Sequence, residues 1–201
     1  MRLVLASGNV KKLGELQALF SPLGLELVSQ SALGIPEAPE PHVTFVENAL
    51  AKARHAAALS SVAAIADDSG LCVDALGGAP GVLSARYATL FGEPKGDDHN
   101  NRVVLDKLRG VADRRARFVS ALVAVRSADD PEPLIALGRW PGTVLDSPRG
   151  SGGFGYDPLI FIAEFGCSVA ELQANEKNRV SHRAIASRTM LALMREVWQL
   201  G

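Results

Sequence analysis

Short apolar segments alternate with segments of helical periodicity, and this alternation constrains the fold more than any other feature of the chain. In order, the first 70 residues predict a strand at 2–6, a helix at 11–20, a strand at 25–29, a helix at 44–59 and a strand at 62–67. Predicted strands at 118–126 and 134–140 flank a turn at 129–131, and such a hairpin excludes a purely parallel sheet. The sequence therefore predicts the α/β class, with a mixed sheet flanked by helices.

The remaining segments extend the same pattern. They predict a small hairpin and an irregular loop at 70–87, a helix at 97–108, short strands at 143–145 and 159–162, and a helix at 181–200. Thr44 and Glu47 fit a capping box, which fixes the start of the second helix. The proline-rich segment 31–43 before it is predicted to be a long surface loop.

Length, charge and cysteine content limit the function. At 201 residues the chain suffices for one domain, or for two lobes that share a cleft. Its 21 Lys and Arg residues nearly balance 22 Asp and Glu residues, which argues against a nucleic-acid or membrane partner. The N-terminal apolar run turns polar at Ser7, so we expect no signal peptide and a soluble cytoplasmic protein. Cys72 and Cys167 show no CxxC spacing, which predicts buried reduced thiols rather than structural zinc.

Two adjacent carboxylates stand at the end of the predicted strand at 62–67. They are Asp67 and Asp68, and Ser69 and Gly70 follow them. Mg²⁺ binds through one or two carboxylates and completes its coordination with water and substrate phosphates. The pair therefore suggests a metal site for phosphate chemistry. The alternative is an Asx turn that closes a hairpin, because Asp and Ser cap turns and glycine accommodates positive φ.

Two other segments carry groups that suit a polyphosphate. Residues 7–12, Ser-Gly-Asn-Val-Lys-Lys, lie between a predicted strand and a predicted helix, where backbone N–H groups and the helix dipole favour an anion. Lys52 lies among alanines in the next helix and could point into a cleft, and Glu40 could swing towards a metal. The alternatives are an ordinary Ser/Asn turn and solvated lysines.

Residues 152–158, Gly-Gly-Phe-Gly-Tyr-Asp-Pro, suit a nucleobase. Glycines let the backbone approach a ligand closely, and Phe154 or Tyr156 offers a face for a flat ring. The alternative is a glycine-rich turn with core aromatics. Lys177, His182 and Arg183 precede or begin the last helix, where cations oppose the helix dipole, so a ligand role is favoured for them.

Seven motifs stand in register along the chain: Leu5-Ala6-Ser7-Gly8-Asn9-x-x-Lys12-x-x-Glu15, Thr44-Phe45-x-Glu47-Asn48-Ala49-x-x-Lys52-Ala53, Ala66-Asp67-Asp68-Ser69-Gly70-Leu71, Gly77-Gly78-Ala79-Pro80-Gly81, Ser84-Ala85-Arg86-Tyr87, Gly153-Phe154-Gly155-Tyr156-Asp157-Pro158 and Ser181-His182-Arg183. In this order they resemble, from end to end, the inosine triphosphate pyrophosphatase family, whose members hydrolyse ITP, dITP and XTP to the monophosphate and pyrophosphate. The resemblance has two departures: Ser7 replaces a threonine found in many members, and residues 90–98 are longer than in compact members.

The resemblance implies a long twisted mixed sheet flanked by helices, two lobes around a central cleft, and a cytoplasmic homodimer. It implies that the substrate triphosphate is bound by Ser7, Gly8, Asn9, Val10, Lys11, Lys12 and Lys52. Asp68 would be the proton acceptor and, with Glu40, a Mg²⁺ ligand, while Ser69 would contact the substrate. The base pocket would comprise Phe154, Gly155, Tyr156, Asp157, Lys177, His182 and Arg183. Asp67 would have only a supporting role, holding the strand end or hydrogen-bonding metal-bound water.

The choice of base follows from hydrogen-bonding chemistry. Hypoxanthine and xanthine carry a carbonyl at the six position, where adenine carries an amino group. Arg183 can only donate hydrogen bonds, so with His182 it would satisfy the carbonyl and disfavour ATP. Two other functions stay open: a pyrophosphatase that prefers pyrimidine or modified nucleotides, and a nucleotide sensor without catalysis. The His182 and Arg183 pair argues against the first, and the adjacent carboxylates argue against the second.

Overall fold

A seven-stranded mixed sheet with helices packed on it forms the framework of the protein. The computed structural model describes residues 2–8, 13–14, 16–17, 20 and 24–200. The strands are β1 (Arg2–Leu5), β2 (Glu26–Ser29), β3 (Ala64–Val73), β4 (Arg115–Val125), β5 (Leu134–Val144), β6 (Ile160–Ile162) and β7 (Cys167–Ser168). The helices with full bounds are α1 (Phe45–Ser60), α2 (Asp97–Lys107), α3 (Ala174–Val180) and α4 (His182–Trp198). Residues 13–14, 16–17 and 20 are also helical.

The strand order is β2-β1-β3-β4-β5-β6-β7. β1 pairs in parallel with β2 and β3, whereas β6 pairs antiparallel with β5 and β7. Parallel pairs need a crossover, and α1 lies on the chain between β2 and β3. The predicted α/β class with a mixed sheet is confirmed.

The chain forms two compact units. The first unit comprises Met1–Asp68, Ser120–Gly138 and His182–Gly201, and the second comprises Ser69–Val119 and Arg139–Ser181. The boundaries fall within β3, β4 and β5, so these three strands contribute residues to both units.

Alternate residues of the strands in the first unit enter two different hydrophobic clusters. One cluster joins Leu3, Leu5, Ile65, Leu122 and Ala124 to Ala186, Met190 and Met194 of α4. The other joins Val4, Ala64, Ala66, Ala121 and Val123 to Ala49, Ala53 and Ala56 of α1. Successive strand residues point to opposite faces, so α4 and α1 cover opposite faces of the sheet within this unit.

Helix α1 begins where the sequence predicts. Thr44 Oγ1 accepts a hydrogen bond of 3.2 Å from Glu47 N and donates one of 2.6 Å to Glu47 Oε2. Ala49, Ala53 and Ala56 are fully buried, and their small side chains let the helix lie close to the sheet. The predicted capping role of Thr44 is confirmed.

Two predicted strand boundaries differ from the structure, and in both cases a glycine lies inside the observed strand. β3 continues through Ser69 and Gly70 to Val73, so the predicted strand end at Asp67 and the hairpin closed by Ser69 and Gly70 are wrong. β5 runs without a break through Gly142 to Val144, whereas a separate strand at 143–145 was predicted. In the segment after β3, residues 81–91 form two 3-10 helical stretches separated by a kink at Arg86, whereas an irregular loop is predicted up to residue 87.

The second unit has its own core, built from β3, β4, β5 and α2. Its largest buried members include Tyr87, Phe118, Trp140, Tyr156 and Leu159. Both cysteines carry free thiols, but only Cys72 is buried; Cys167 is half-buried, so the prediction of two buried thiols is wrong for it. In the part of the chain that the structure describes, no helix has the length and apolarity to cross a membrane.

Candidate functional site

Asp67 and Asp68 are adjacent in β3 and therefore point to opposite faces of the sheet. Asp68 continues the row of Ala64 and Ala66 that faces α1, and Asp67 continues the row of Ile65 that faces α4. Both carboxylates are buried, with 1 % exposure for Asp67 and 6 % for Asp68. The two carboxylates consequently have different partners.

On the α1 face, three oxygen atoms surround the ammonium group of Lys52. Lys52 Nζ lies 2.7 Å from Asp68 Oδ1, 2.9 Å from Glu40 Oε1 and 3.0 Å from the carbonyl oxygen of Asp67. Burial lowers the pKa of Lys52, but the attraction of the Asp68 and Glu40 carboxylates outweighs burial, and the net pKa lies above its ordinary value. The lysine therefore stays charged and holds the two carboxylates together.

Asn48 connects the same cluster to the loop that precedes α1. Its Nδ2 donates to the His42 carbonyl at 3.2 Å and lies 3.5 Å from Asp68 Oδ2, while its Oδ1 accepts from His42 N at 3.0 Å. Asn48 is fully buried. It was not among the predicted site residues, although a buried amide in an alanine-rich helix face is a signal that the sequence carries.

On the α4 face, Asp67 binds a hydroxyl group and a guanidinium group. Ser120 Oγ donates to Asp67 Oδ1 at 2.7 Å, and Arg183 Nε lies 3.4 Å from Asp67 Oδ2. The Asp67 and Arg183 side chains are 0 % and 3 % exposed, so this is a buried ion pair. Asp67 thus does more than hold the end of a strand: it fixes Arg183, one of the residues assigned to base recognition.

Gly138 of β5 determines how closely α4 approaches the sheet. A Cβ atom built on Gly138 would lie 1.9 Å from the carbonyl oxygen of His182 and 2.7 Å from Ala186 N. Backbone atoms cannot yield as a flexible side chain can, so any larger residue would displace the first turn of α4. That turn carries His182 and Arg183, both of them buried.

We expect Gly138→Ala to lower the free energy of unfolding by about 1–3 kcal/mol, because overpacking forces the backbone to shift. Nucleotide turnover should fall as well, because His182 and Arg183 move with the helix. Thermal melting measures the first effect. Gly14→Ala is the matched control: Gly14 is helical, with no described atom within 4 Å of a built Cβ, and alanine favours helices. Equal melting temperatures for the two variants would contradict the expectation.

In the second unit, residues 152–157 form a segment that we call the glycine loop. Asp157 Oδ2 accepts hydrogen bonds from Phe154 N at 2.9 Å and from Lys177 Nζ at 2.8 Å. Lys177 Nζ also lies 4.5 Å from the centre of the Phe154 ring, within the range of a cation–π contact. Asp157 and Lys177 are both buried, and together they hold the Phe154 ring.

Tyr156 and Phe154 have different surroundings, which distinguishes the two rings that the sequence offers for stacking. Tyr156 is 4 % exposed and its hydroxyl donates to the Ser84 carbonyl at 2.9 Å. Burial raises the pKa of Tyr156 well above its ordinary value. Phe154 is only half-buried. Tyr156 therefore anchors the loop in the core, and Phe154 is the ring with an accessible surface.

The other predicted residues are placed as follows. Ser7 is half-buried and Gly8 is exposed just after β1, and Ser69 is half-buried within β3. Asn9, Val10, Lys11 and Lys12 lie outside the described residues. Within the described ranges, no three His, Cys, Asp or Glu side chains gather into a metal-binding group. Among the described residues, the carboxylates that pair with Lys52 are those of Asp68 and Glu40.

Comparisons with known proteins agree with the pattern of motifs. The sequence model described as the Ham1 family matches residues 3–193. Two relatives, each named dITP/XTP pyrophosphatase, come from Methylibium petroleiphilum (65 % identical, 98 % of this chain and 99 % of the relative) and Leptothrix cholodnii (62 % identical, 100 % of both). Among solved structures, a HAM1 protein from Coxiella burnetii is similar with a TM-score of 0.91 and 40 % identity, covering 98 % of this chain and 100 % of that one.

Proposed function

This chain belongs to the Ham1 family, and from that premise we propose that it is a nucleoside-triphosphate pyrophosphatase that hydrolyses dITP, XTP and ITP to the monophosphate and pyrophosphate. The observation that carries the proposal is the cluster of Asp68, Glu40 and Lys52. The two carboxylates each lie within 3 Å of the Lys52 ammonium group. The cluster thus supplies both the acidic and the cationic groups that phosphoanhydride hydrolysis requires.

The oxygen atoms around Lys52 fit a hard divalent cation. Asp68, Glu40 and the Asp67 carbonyl already converge on one positive charge, and Mg²⁺ needs only one or two carboxylates besides water and phosphate oxygens. Asp68 and Glu40 would hold the Mg²⁺ ion. When bound, the ion would offset the negative charge of the triphosphate and polarise its phosphoryl oxygens.

The side chains of the first unit account for the rest of the chemistry. Asp68 would accept the proton of the water molecule that attacks the phosphorus atom. The ammonium group of Lys52 would pair with a phosphate oxygen, and the loop that begins at Ser7 would bind the rest of the triphosphate. These donors would stabilise the charge that develops as the phosphoanhydride bond breaks.

Base recognition would rest on groups that can only donate hydrogen bonds. Arg183, fixed by Asp67, would donate to the six-position carbonyl of hypoxanthine or xanthine and would face the amino group of adenine without an acceptor. Phe154, held by Lys177 on one side, would provide a flat surface for the base. The cytoplasmic location and the homodimer implied by the resemblance stay predictions.

A substrate panel tests this proposal. Purified protein is incubated with ITP, XTP, GTP, ATP, dTTP and UTP, each with and without Mg²⁺, and kcat/KM is compared. We expect ITP and XTP to be hydrolysed fastest, and only with the metal. A preference for dTTP or UTP would contradict the proposal in favour of a pyrimidine enzyme, and metal-independent binding without turnover would indicate a sensor.

We expect Lys52→Met to lower ITP turnover about 10²-fold, the usual loss when one charged or polar donor to a reacting group is removed. The same variant should melt at a lower temperature without Mg²⁺, because Asp68 and Glu40 lose the cation between them. Adding Mg²⁺ should then raise its melting temperature more than that of the wild-type protein, because the ion no longer competes with Lys52.

Lys95→Met is the matched control, because Lys95 is an exposed lysine in the second unit. It should leave both turnover and the Mg²⁺-dependent melting shift unchanged. If Lys52→Met and Lys95→Met gave the same melting shift with Mg²⁺, the assignment of the ion to Asp68 and Glu40 would be wrong.

A further inference from the structure

Both peptide groups of Gly155 in the glycine loop are held by one helix. Gly155 N donates to Asp97 Oδ2 at 2.7 Å, and the Gly155 carbonyl accepts from Asn101 Nδ2 at 3.0 Å. Asp97 and Asn101 stand four residues apart in α2, so they lie on the same face of the helix. Together they hold Gly155, which lies between Phe154 and Tyr156 and has a positive φ of +63°.

The Asn101 side chain serves mainly to bind the Gly155 carbonyl. Its side chain is buried, and its Oδ1 has no hydrogen-bond partner among the residues that the structure describes. A rotated amide would place Oδ1 against the Gly155 carbonyl oxygen, so the observed orientation is the only one that allows the bond. A buried amide oxygen without a partner destabilises the fold. The favourable contribution of the Asn101 side chain therefore comes chiefly from the bond of its Nδ2 to the Gly155 carbonyl.

The rest of the glycine loop depends on Gly155. On one side Phe154 N is bound by Asp157, and on the other the Tyr156 hydroxyl is bound to Ser84. Those two bonds fix the flanking residues, and Asp157 N also donates to the Phe154 carbonyl at 3.2 Å. None of these bonds involves the N–H or the carbonyl of Gly155, which set the direction of the chain between the two rings. Release of Gly155 would therefore let the Phe154 ring move relative to Lys177.

We propose that Asp97 and Asn101 are positioning residues for base recognition: they hold the backbone of Gly155 so that the Phe154 ring stays in place for a purine base. The inference rests on the proposed function, because it assigns the Phe154 ring to the base. Neither residue touches the substrate. Their effect should appear in the contribution of the base to nucleotide binding, and triphosphate binding should be unaffected.

Equilibrium binding of ITP and of inorganic triphosphate, which has no base, tests this role in the Asp68→Asn background, where turnover does not interfere. We expect Asp97→Ala and Asn101→Ala each to weaken ITP binding about tenfold, as the loss of a hydrogen bond to a charged or buried group predicts. Binding of inorganic triphosphate should change little, so the ratio of its dissociation constant to that of ITP should fall. Asp97→Asn keeps an oxygen acceptor for Gly155 N and should restore most of the preference for ITP over inorganic triphosphate.

Asp98→Ala is the matched control. It removes the same charge from the same first turn of α2, but Asp98 makes no contact with Gly155 among the described hydrogen bonds. It should leave the ratio unchanged. If Asp97→Ala and Asn101→Ala lowered the melting temperature yet left the ratio unaltered, the two residues would be merely structural and the inference would be wrong. Failure of both the wild-type protein and Asp68→Asn to bind ITP would instead contradict the proposed function and the inference with it.

Discussion

Asp68→Asn should keep the fold and lower ITP turnover by about 10²- to 10⁴-fold, the range expected when a general base is removed. The amide has nearly the same shape and can still contact Asn48 and Lys52. It cannot accept a proton from water, and it offers a metal no negative charge. Steady-state kinetics with ITP and Mg²⁺ measure the loss of turnover, and thermal melting shows whether the fold is kept.

Asp130→Asn provides the control for Asp68→Asn, because Asp130 is also a buried carboxylate of the first unit. Its oxygens accept from Arg126 N at 2.7 Å and Glu132 N at 3.0 Å, so among the described residues its side chain stabilises a turn. We expect this variant to lose stability and to retain kcat. Full activity in Asp68→Asn would remove Asp68 from the mechanism, whatever its effect on melting.

Asp67→Asn should lower the free energy of unfolding by about 3–5 kcal/mol, because it leaves the buried guanidinium of Arg183 without its carboxylate. In a chain of this size that corresponds to a fall of roughly 10 °C in melting temperature. Discrimination between ITP and ATP should also decline, since Arg183 is no longer held in one orientation. Chemical denaturation measures the first effect, and the ratio of kcat/KM for the two nucleotides measures the second.

Ser120→Ala distinguishes the effect of the ion pair between Asp67 and Arg183 from the effect of the hydrogen bond between Asp67 and Ser120. Ser120 donates to the other oxygen of Asp67 and carries no charge, so its loss should cost only about 1 kcal/mol. If Asp67→Asn were no more destabilising than Ser120→Ala, the ion pair with Arg183 would contribute little, and Asp67 would have no role in placing Arg183.

Local sequence patterns were sufficient for much of the fold, but strand boundaries near two glycines were predicted wrongly. Gly70 was open to interpretation as a turn residue, and Gly142 falls between two predicted strands, yet both lie in strands where another part of the chain comes very close. A Cβ on Gly70 would lie 2.5 Å from the Gly81 carbonyl oxygen, and one on Gly142 would lie 2.8 Å from that of Phe161. Glycine in a strand can mark a close backbone approach as well as a turn, and the difference depends on residues far away in sequence.

The candidate site shows the same division between local and distant information. The sequence singles out Asp68, Lys52 and Glu40 as individual residues. That both carboxylates meet the ammonium group of Lys52 depends on how α1 and its preceding loop pack on β3. Local patterns could not predict that Arg183 pairs with Asp67 either, because the two residues are more than a hundred positions apart in sequence. One signal was present: Ser120 is the one polar residue in the otherwise apolar run 118–125 of β4, and its hydroxyl donates to Asp67.

Identification of the products from ITP tests the central claim most directly. Purified protein is incubated with ITP and Mg²⁺, and the phosphorus-containing products are separated and quantified. The proposed function predicts IMP and pyrophosphate in equal amounts, formed by Asp68→Asn at a rate about 10²- to 10⁴-fold lower. Release of orthophosphate with IDP as the nucleotide product would contradict it, because the bond broken would then be the terminal phosphoanhydride.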